Sequence, residues 1–391
     1  MTSYEVHLFS NTGSYLRTFT KRITGLTWGR HLGEVGRFSL TLSDRLRPVD
    51  PDLFQLNGRV AIYRKAHVFA TAKLEMLGFI RYPDFQTDKR GVTRYTWYGV
   101  DQNDLLTSRI VYPYHPYNDT PGVGAWRNYM TSYADTMMRE LVEDNLGAGS
   151  SNPTARDLVT SNGAGLTIAI ESSATATSCT TAGQITTEMG GKNLLALCSE
   201  LSAASKTFIA QGSTVAVPVY FDMCLDTDTS LTFRVRPTRW GMNHRADSGN
   251  PVYIGMPYGN LREPRREYDR TLEVNAGLGM YHAQSYSASA WALDSTRIGE
   301  APLNRREAAA SAGQDQCAAV GNILINEGKS KPQFSGMIQD TWGCRYGVHW
   351  GLGDELTVDY LGRQYNVMVV GLDVECKQGR ERITPRMEVL E

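Results

Sequence analysis

GRFSLTLS (36–43), NGRVAIYR (57–64), LEMLGFIR (74–81) and RGVTRYTWYGV (90–100) follow one another near the N-terminus. PQFSGMIQ (332–339), LGDELTVDY (352–360), YNVMVVGLD (365–373) and GRERITPRMEVL (379–390) follow one another at the other end. Apolar and polar residues alternate through most of these stretches, as in strands with one buried face. The spacings run in step. Phe38 to Gly58 is 20 residues and Phe334 to Gly353 is 19; Gly58 to Gly78 is 20 and Gly353 to Gly371 is 18. The chain is therefore expected to carry one β-unit twice, each of four strands with glycine at the corners. Four such strands are enough for a small barrel or sandwich. The plainer alternative is a long antiparallel meander with glycine turns at similar intervals.

The rest of the composition bounds the answer without naming a chemistry. At 391 residues the chain is long enough for two or three domains, and a hydrophobic fraction of 41% supplies real cores. Charge is balanced, 40 Lys+Arg against 41 Asp+Glu, so neither a generally basic nucleic-acid binder nor an acidic tail is expected. The 37 glycines and 20 tyrosines suit β structure with tight corners. Cys179, Cys198, Cys224, Cys317, Cys344 and Cys376 form no CxxC pair and are read as mostly free, buried thiols of a chain folded in a reducing cytosol. MTSYEVHLFS already alternates like a strand, so no signal segment is expected, and no run of about 18 apolar residues predicts a membrane span.

Between the two units the rhythm changes. Residues 1–106 read as the first β-barrel domain: a hairpin turning at Asn11-Thr12-Gly13, then alternating strands marked by Phe38, Leu40 and Leu42, by Val60 and Ile62, and by Tyr95 and Trp97. Asp101 is placed to cap a short helix carrying Leu105 and Leu106. Residues 107–250 read as an α+β insertion. It holds a helix over 131–146, a second over 192–206, and a hairpin about Asp226-Thr227-Asp228. Residues 251–391 read as the second β-barrel domain, with a further helix at about 305–327. The expected class is mostly β: two related small barrels of tube type with an α/β subdomain between them.

This order resembles the tail-tip hub proteins of long-tailed phages, also called tail-associated or baseplate hub proteins, a class of minor tail protein. The likeness rests on GRFSLTLS, NGRVAIYR and YGVDQNDLLTSR, a helix-bearing middle, NPVYIGMPYGNL, GDELTVDYLG and a final hairpin. It implies two tube-type barrels per chain and a homotrimer whose six barrels ring a channel. Such a ring adapts the sixfold tail tube or distal tail protein to a threefold tip, because closed heterologous contacts let three chains occupy six docking places. The implied partners are the distal tail or tube protein, the tape measure protein, tip or fibre proteins, and DNA only in transit through the channel during genome ejection. The implied location is the virion, after synthesis in the host cytoplasm. Many relatives continue into a lytic or fibre-like extension. This sequence ends on its last predicted strand, so no such role is carried over.

No catalytic residue, cofactor or metal is expected. The sequence has no GxSxG, HExxH or Walker A motif. GGKN (190–193) reads as a helix start. Asp226, Asp228 and Ser230 open like a calcium loop, but Leu231 and Pro237 stand where glycine and glutamate are required, so a hairpin turn is expected. Cys344 and His349 could form a nucleophilic pair, yet nothing supplies a third, orienting group. Two classes compete with the structural reading. A tail-borne glycan or peptide hydrolase requires carboxylates or a Cys/His pair converging in one cleft. A carbohydrate-binding module requires an exposed aromatic row, for which Tyr112, Tyr114, His115, Tyr117, Trp126, Tyr129 and Tyr133 are candidates; an arm packing on a neighbouring subunit, or plain core, are the other uses of that stretch. Arginines at 234, 236, 239 and 245, and at 262, 265, 266 and 270, are expected to form surface ion pairs with neighbouring acids, or pairs between subunits, rather than a DNA track.

Overall fold

A computed structural model describes residues 2–20, 22–43, 49–67, 70–89, 91–111, 114–115, 125–126, 129–146, 165–171, 185–188, 191–207, 218–267, 271, 273–283, 286–298, 302–311, 317–328, 333–377 and 379–390. The fold is mostly β. The first unit holds β1 (Ser3–Phe9), β2 (Tyr15–Phe19), β3 (Ile23–His31), β4 (Arg37–Ser43), β5 (Arg59–Lys65), β6 (Lys73–Thr87) and β7 (Thr93–Asp101), followed by the short helix α1 (Asp104–Thr107). Three two-to-four-residue strands come next: β8 (Tyr114–His115), β9 (Ala125–Trp126) and β10 (Tyr129–Ser132). Then come α2 (Ala134–Leu146), β11 (Thr167–Ile170), β12 (Ile185–Glu188), α3 (Leu194–Thr207), β13 (Val219–Thr227) and β14 (Ser230–Pro237). The second unit begins with β15 (Asn243–His244), β16 (Tyr253–Gly255) and β17 (Leu261–Glu267). It is interrupted by β18 (Ala276–Ala283), β19 (Tyr286–Leu293), α4 (Ser295–Ile298), β20 (Glu307–Ser311) and α5 (Cys317–Glu327). It resumes with β21 (Gln333–Ile338), β22 (Glu355–Tyr360), β23 (Arg363–Lys377) and β24 (Arg380–Val389).

The pairing order repeats. In the first unit it runs β3-β4-β7-β6-β5; in the second it runs β17-β21-β24-β23-β22, with every one of these neighbours antiparallel. The match extends to single residues. β6 carries a bulge between Ile80 and Tyr82 opposite β7, and β23 carries one between Val369 and Gly371 opposite β24. Aligning those bulges places Phe38 on Phe334, since Phe38 faces Gly99 and Phe334 faces Met387. Bulges kink and twist a strand, so a shared one preserves the same curvature in both units. The units differ beyond β5 and β22: β1 joins β5 antiparallel, whereas β15 and β16 join β22 parallel.

That alignment corrects the glycine argument made from sequence. Gly58 corresponds to Asp354 rather than Gly353, and Gly78 corresponds to Val367 while Gly371 corresponds to Tyr82. Gly78 and Gly99 lie within strands, not at corners. A Cβ added at either would stand 2.4 or 2.3 Å from the Phe38 ring, so these glycines make room for that buried side chain.

The two units are fused into a single 14-stranded sheet, because the far half of β23 pairs with β3 from Gly371↔His31 to Lys377↔Gly25. A single apolar core spans the fusion, with Val6, Leu8, Trp28, Phe38 and Trp97 from one unit and Val358, Val369, Leu372, Val374 and Phe334 from the other. β5 and β6 are covered on both faces. Val60, Ile62, Met76 and Ile80 enter the shared core, while Ala61, Leu77 and Phe79 enter a second core built by α2, α3, β11, β13 and β14. This explains their near-continuous apolar sequence.

α2 and α3 match the two expected helices within a few residues. The helix expected from Arg305 begins at Cys317; Glu307–Ser311 is instead a strand parallel to β18. Alanine-rich sequence favours a helix only weakly, and a ladder against β18 overrides it. Asp101 does not cap a helix. It ends β7, and its carboxylate accepts the backbone N–H of Asn103 at 3.0 Å. The fold rejoins β22 at Asn243, before the expected domain limit at 250.

Candidate functional site

Two polar joints hold the sheet and its insertion in fixed relation. The first lies between the two β-units. Arg64, on β5, is 2% exposed and donates from Nε and Nη2 to the two carboxylate oxygens of Glu381 on β24, at 2.8 and 2.7 Å. Its Nη1 donates to the Tyr346 carbonyl at 3.1 Å, and its guanidinium lies 4.9 Å from the centre of the Tyr346 ring. Tyr346 in turn donates to Glu75 on β6 at 2.6 Å, and Tyr4 on β1 donates to Glu381. A fork-shaped cation matched to a carboxylate fixes direction as well as distance. Burial pushes the Tyr4 and Tyr346 hydroxyls up, as does the neighbouring carboxylate in each case, so both remain donors.

The second joint lies between the first β-unit and the insertion. Arg30 on β3 donates to Asp222 on β13 at 2.9 Å. Asn103 donates to the other Asp222 oxygen at 2.7 Å and accepts the Met223 N–H at 3.0 Å; Gln102 donates to the Met223 carbonyl at 2.9 Å. Asp101 lies in the same buried cluster. Burial, with the charge of Asp222 second, pushes its carboxyl up to about 7. The sequence pattern places Asp101 as a helix cap and gives Gln102 and Asn103 no role. Three consecutive polar residues directly after a buried strand were the available signal.

A shallow groove of about 470 Å³ follows the fusion of the units, lined by Trp28, Arg37, Tyr98, Asp373, Glu375 and Arg382 among others. It is open and mixed in charge, unlike an enclosed apolar ligand pocket.

The residues weighed as chemistry from sequence take structural places. Cys344 is buried and its thiol is pushed up to about 12 by that burial, while His349 Nδ1 accepts the Arg345 N–H at 3.0 Å. The imidazole nitrogen facing that amide is therefore not available as a base toward Cys344. Among the described residues no group of three or more His, Cys, Asp or Glu could hold a metal ion. Asp226 and Asp228 sit at the β13–β14 turn. Asp226 accepts from Arg234 at 2.8 Å and from Thr232, and Asp228 from Tyr63 at 3.1 Å. In GGKN, Asn193 precedes α3 and accepts the Ala196 N–H at 3.1 Å, as an N-cap does. Arg234, Arg236, Arg239 and Arg245 are engaged by Asp226, Glu171, Glu355 and, for Arg245, also Asp247. Arg270 lies outside the described residues. Cys198, Cys224, Cys317, Cys344 and Cys376 are free thiols, and Cys179 lies outside the described residues.

The aromatic stretch is only partly described. Tyr114 and Trp126 pair between β8 and β9 at the backbone, and Tyr133 packs half-buried against the insertion core. Tyr112 and Tyr117 lie outside the described residues, as do the side chains of Tyr114, His115, Trp126 and Tyr129.

No protein-family model matches the sequence, and no curated protein does. Solved structures do. The 43 kDa tail protein of prophage MuSo2 from Shewanella oneidensis superposes with a TM-score of 0.61 at 10% identity, over 100% of this chain and 98% of that one. The chain shares the fold of that tail protein. The tail protein from Neisseria meningitidis MC58 gives 0.57 at 10% identity, over 100% and 97%. A chain of the Francisella PdpA–VgrG complex gives 0.56 at 8% identity, over 99% of this chain and 57% of that one. The likeness to the two tail proteins runs the full length of this chain. No helix among the described residues is long and apolar enough to cross a membrane.

Proposed function

We propose that the chain is a non-enzymatic structural component of a phage tail tip, a baseplate hub of which three copies close into a ring. The observation that carries this reading is the repeated pairing order, β3-β4-β7-β6-β5 and β17-β21-β24-β23-β22, within one rigid sheet. A chain with two like units lets three molecules present six like faces to a sixfold tube or distal tail protein. The two insertions differ between the units, so the opposite side is threefold. Closed rings follow when a heterologous contact repeats through a rotation that returns to its start.

The mechanism is geometric. The shared core and the Arg64–Glu381 joint fix the angle between the units, and that angle sets the ring diameter. The passage would carry the tape measure protein and DNA. Carboxylates engage Arg234, Arg236, Arg239 and Arg245, which suits a conduit, because free cations would retain phosphates. Tip or fibre proteins would dock on the threefold side.

The test is mass in solution by light scattering, alone and with a sixfold tail-tube or distal tail protein. The reading expects about three times the 43.4 kDa chain mass alone, or, in the mixture, a complex holding three chains for each sixfold partner ring. A monomer in both conditions contradicts it.

A further inference from the structure

The internal junction has two unmatched halves elsewhere on the molecule. Within the chain, the part of β23 beyond its bulge pairs with β3. Its counterpart is the part of β6 beyond the equivalent bulge, Tyr82–Thr87. That segment pairs with β7 on one side, and no strand among the described residues pairs with its other side. The counterpart of β3 is β17, which pairs with β21 on one side and ends the sheet on the other. Burial shows the same asymmetry. Val374 on β23 is 2% exposed, whereas Phe85, at the matching place on β6, is 46% exposed. Tyr82, matching buried Gly371, is also exposed. An open edge bearing exposed aromatics is a template for pairing with another chain.

We propose that β6 of one copy, across Asp84–Gln86, pairs antiparallel with β17 of a second copy, across Arg265–Glu267, and so repeats between chains the β23–β3 junction found within each chain. The register follows from the internal one. Val374 faces Trp28, Glu375 faces Thr27 and Asp373 faces Gly29. Arg266 stands opposite Phe334 as Trp28 stands opposite Phe38. Phe85 therefore faces Arg266, Gln86 faces Arg265, and Asp84 faces Glu267. The side chains suit this arrangement. The Arg266 guanidinium already lies 5.2 Å from the centre of its own Tyr365 ring and would meet Phe85 as a second ring, and Gln86 offers an acceptor to Arg265. Asp84 and Glu267 are like charges, but Arg265 already pairs with Glu267 at 3.1 Å and lies on the diagonal to Asp84, where it bridges both. Three such contacts, alternating with the three internal junctions, give six equivalent joints. The inference rests on the ring reading and specifies which edges make it.

The test is a cysteine pair, Gln86→Cys with Arg265→Cys, in the full chain. The chain is cross-linked by mild oxidation or a short bismaleimide, and each single variant serves as a control. The pairing expects covalent dimers and trimers from the double variant and none from the singles. Particles of threefold mass that yield no cross-link at this pair overturn the pairing and leave the ring standing. A chain that stays monomeric with its tube partner present overturns both. Phe85→Glu is the second arm. It should weaken association by about tenfold or more while leaving the far-ultraviolet dichroism of the monomer unchanged. Unchanged association of a folded Phe85→Glu overturns the pairing as well.

Discussion

Arg64 on β5 and Glu381 on β24 are 317 residues apart in sequence and form a two-pronged ion pair that ties the first β-unit to the second. The pair is nearly out of reach of water, with 2% and 10% side-chain exposure. A buried charge that loses its partner costs more than the pair contributes, because its desolvation is no longer offset. Glu381→Gln should therefore cost about 3 kcal/mol in denaturant unfolding, with the Tyr346 carbonyl still accepting from Arg64. The double variant Arg64→Met, Glu381→Leu should cost less than Glu381→Gln alone. A double variant as damaging as the sum of the singles would show that the pair is not coupled.

Phe38 occupies the space that Gly78 and Gly99 leave open. A methyl group at Gly99 would stand 2.3 Å from both the Phe38 ring and the Phe79 carbonyl oxygen. The ring could shift, but the backbone oxygen cannot without parting β6 from β7. Gly99→Ala should cost about 2 kcal/mol or more, read as a lowered midpoint with an unchanged denaturant slope. At the matching place in the second unit stands Met387, which packs against Phe334. Met387→Ala should cost a similar amount through the cavity it leaves, with the opposite change of volume.

Asp101 sets a pH dependence for the joint between the first unit and the insertion. Its carboxyl is raised to about 7 in the folded chain, mainly by burial. The folded state then holds a proton that the unfolded chain releases near its ordinary carboxylate value. Folding is favoured below that value and loses stability as pH rises through the window up to about 7. Asp101→Asn removes the ionisable group at nearly the same shape. It should stabilise the protein by on the order of 2 kcal/mol at pH 8 and flatten the fall in melting temperature between pH 4 and 7. Calorimetry across that range reads it; an unaltered slope would show that Asp101 does not carry the effect.

Strand identity was legible in the sequence; strand partnership was not. Phe38, Leu40 and Leu42 alternate with polar residues, and a period of two places them inward whatever their neighbours are. α2 and the β13–β14 hairpin were likewise local: apolar residues at helical spacing, and a short polar turn between alternating strands. The β23–β3 fusion joins residues more than 300 positions apart, and no pattern within either strand encodes it. The glycine spacing suggested the duplication, yet it mis-registered the units at all four glycines compared. Gly78 answers to a nearby aromatic rather than to a turn. Of the two joints, Arg64 was hidden inside an apolar strand and Asp101 inside an apparent helix start, because a buried charge shows its purpose only through a distant partner.

The most direct test of the central claim is a three-dimensional reconstruction of the assembled tip. The account expects three chains whose first and second β-units alternate around one axis at steps of about 60°, at equal radius, with Phe38 and Phe334 in matching places. A ring of six chains, or units lying at different radii so that no sixfold circle arises, would contradict it.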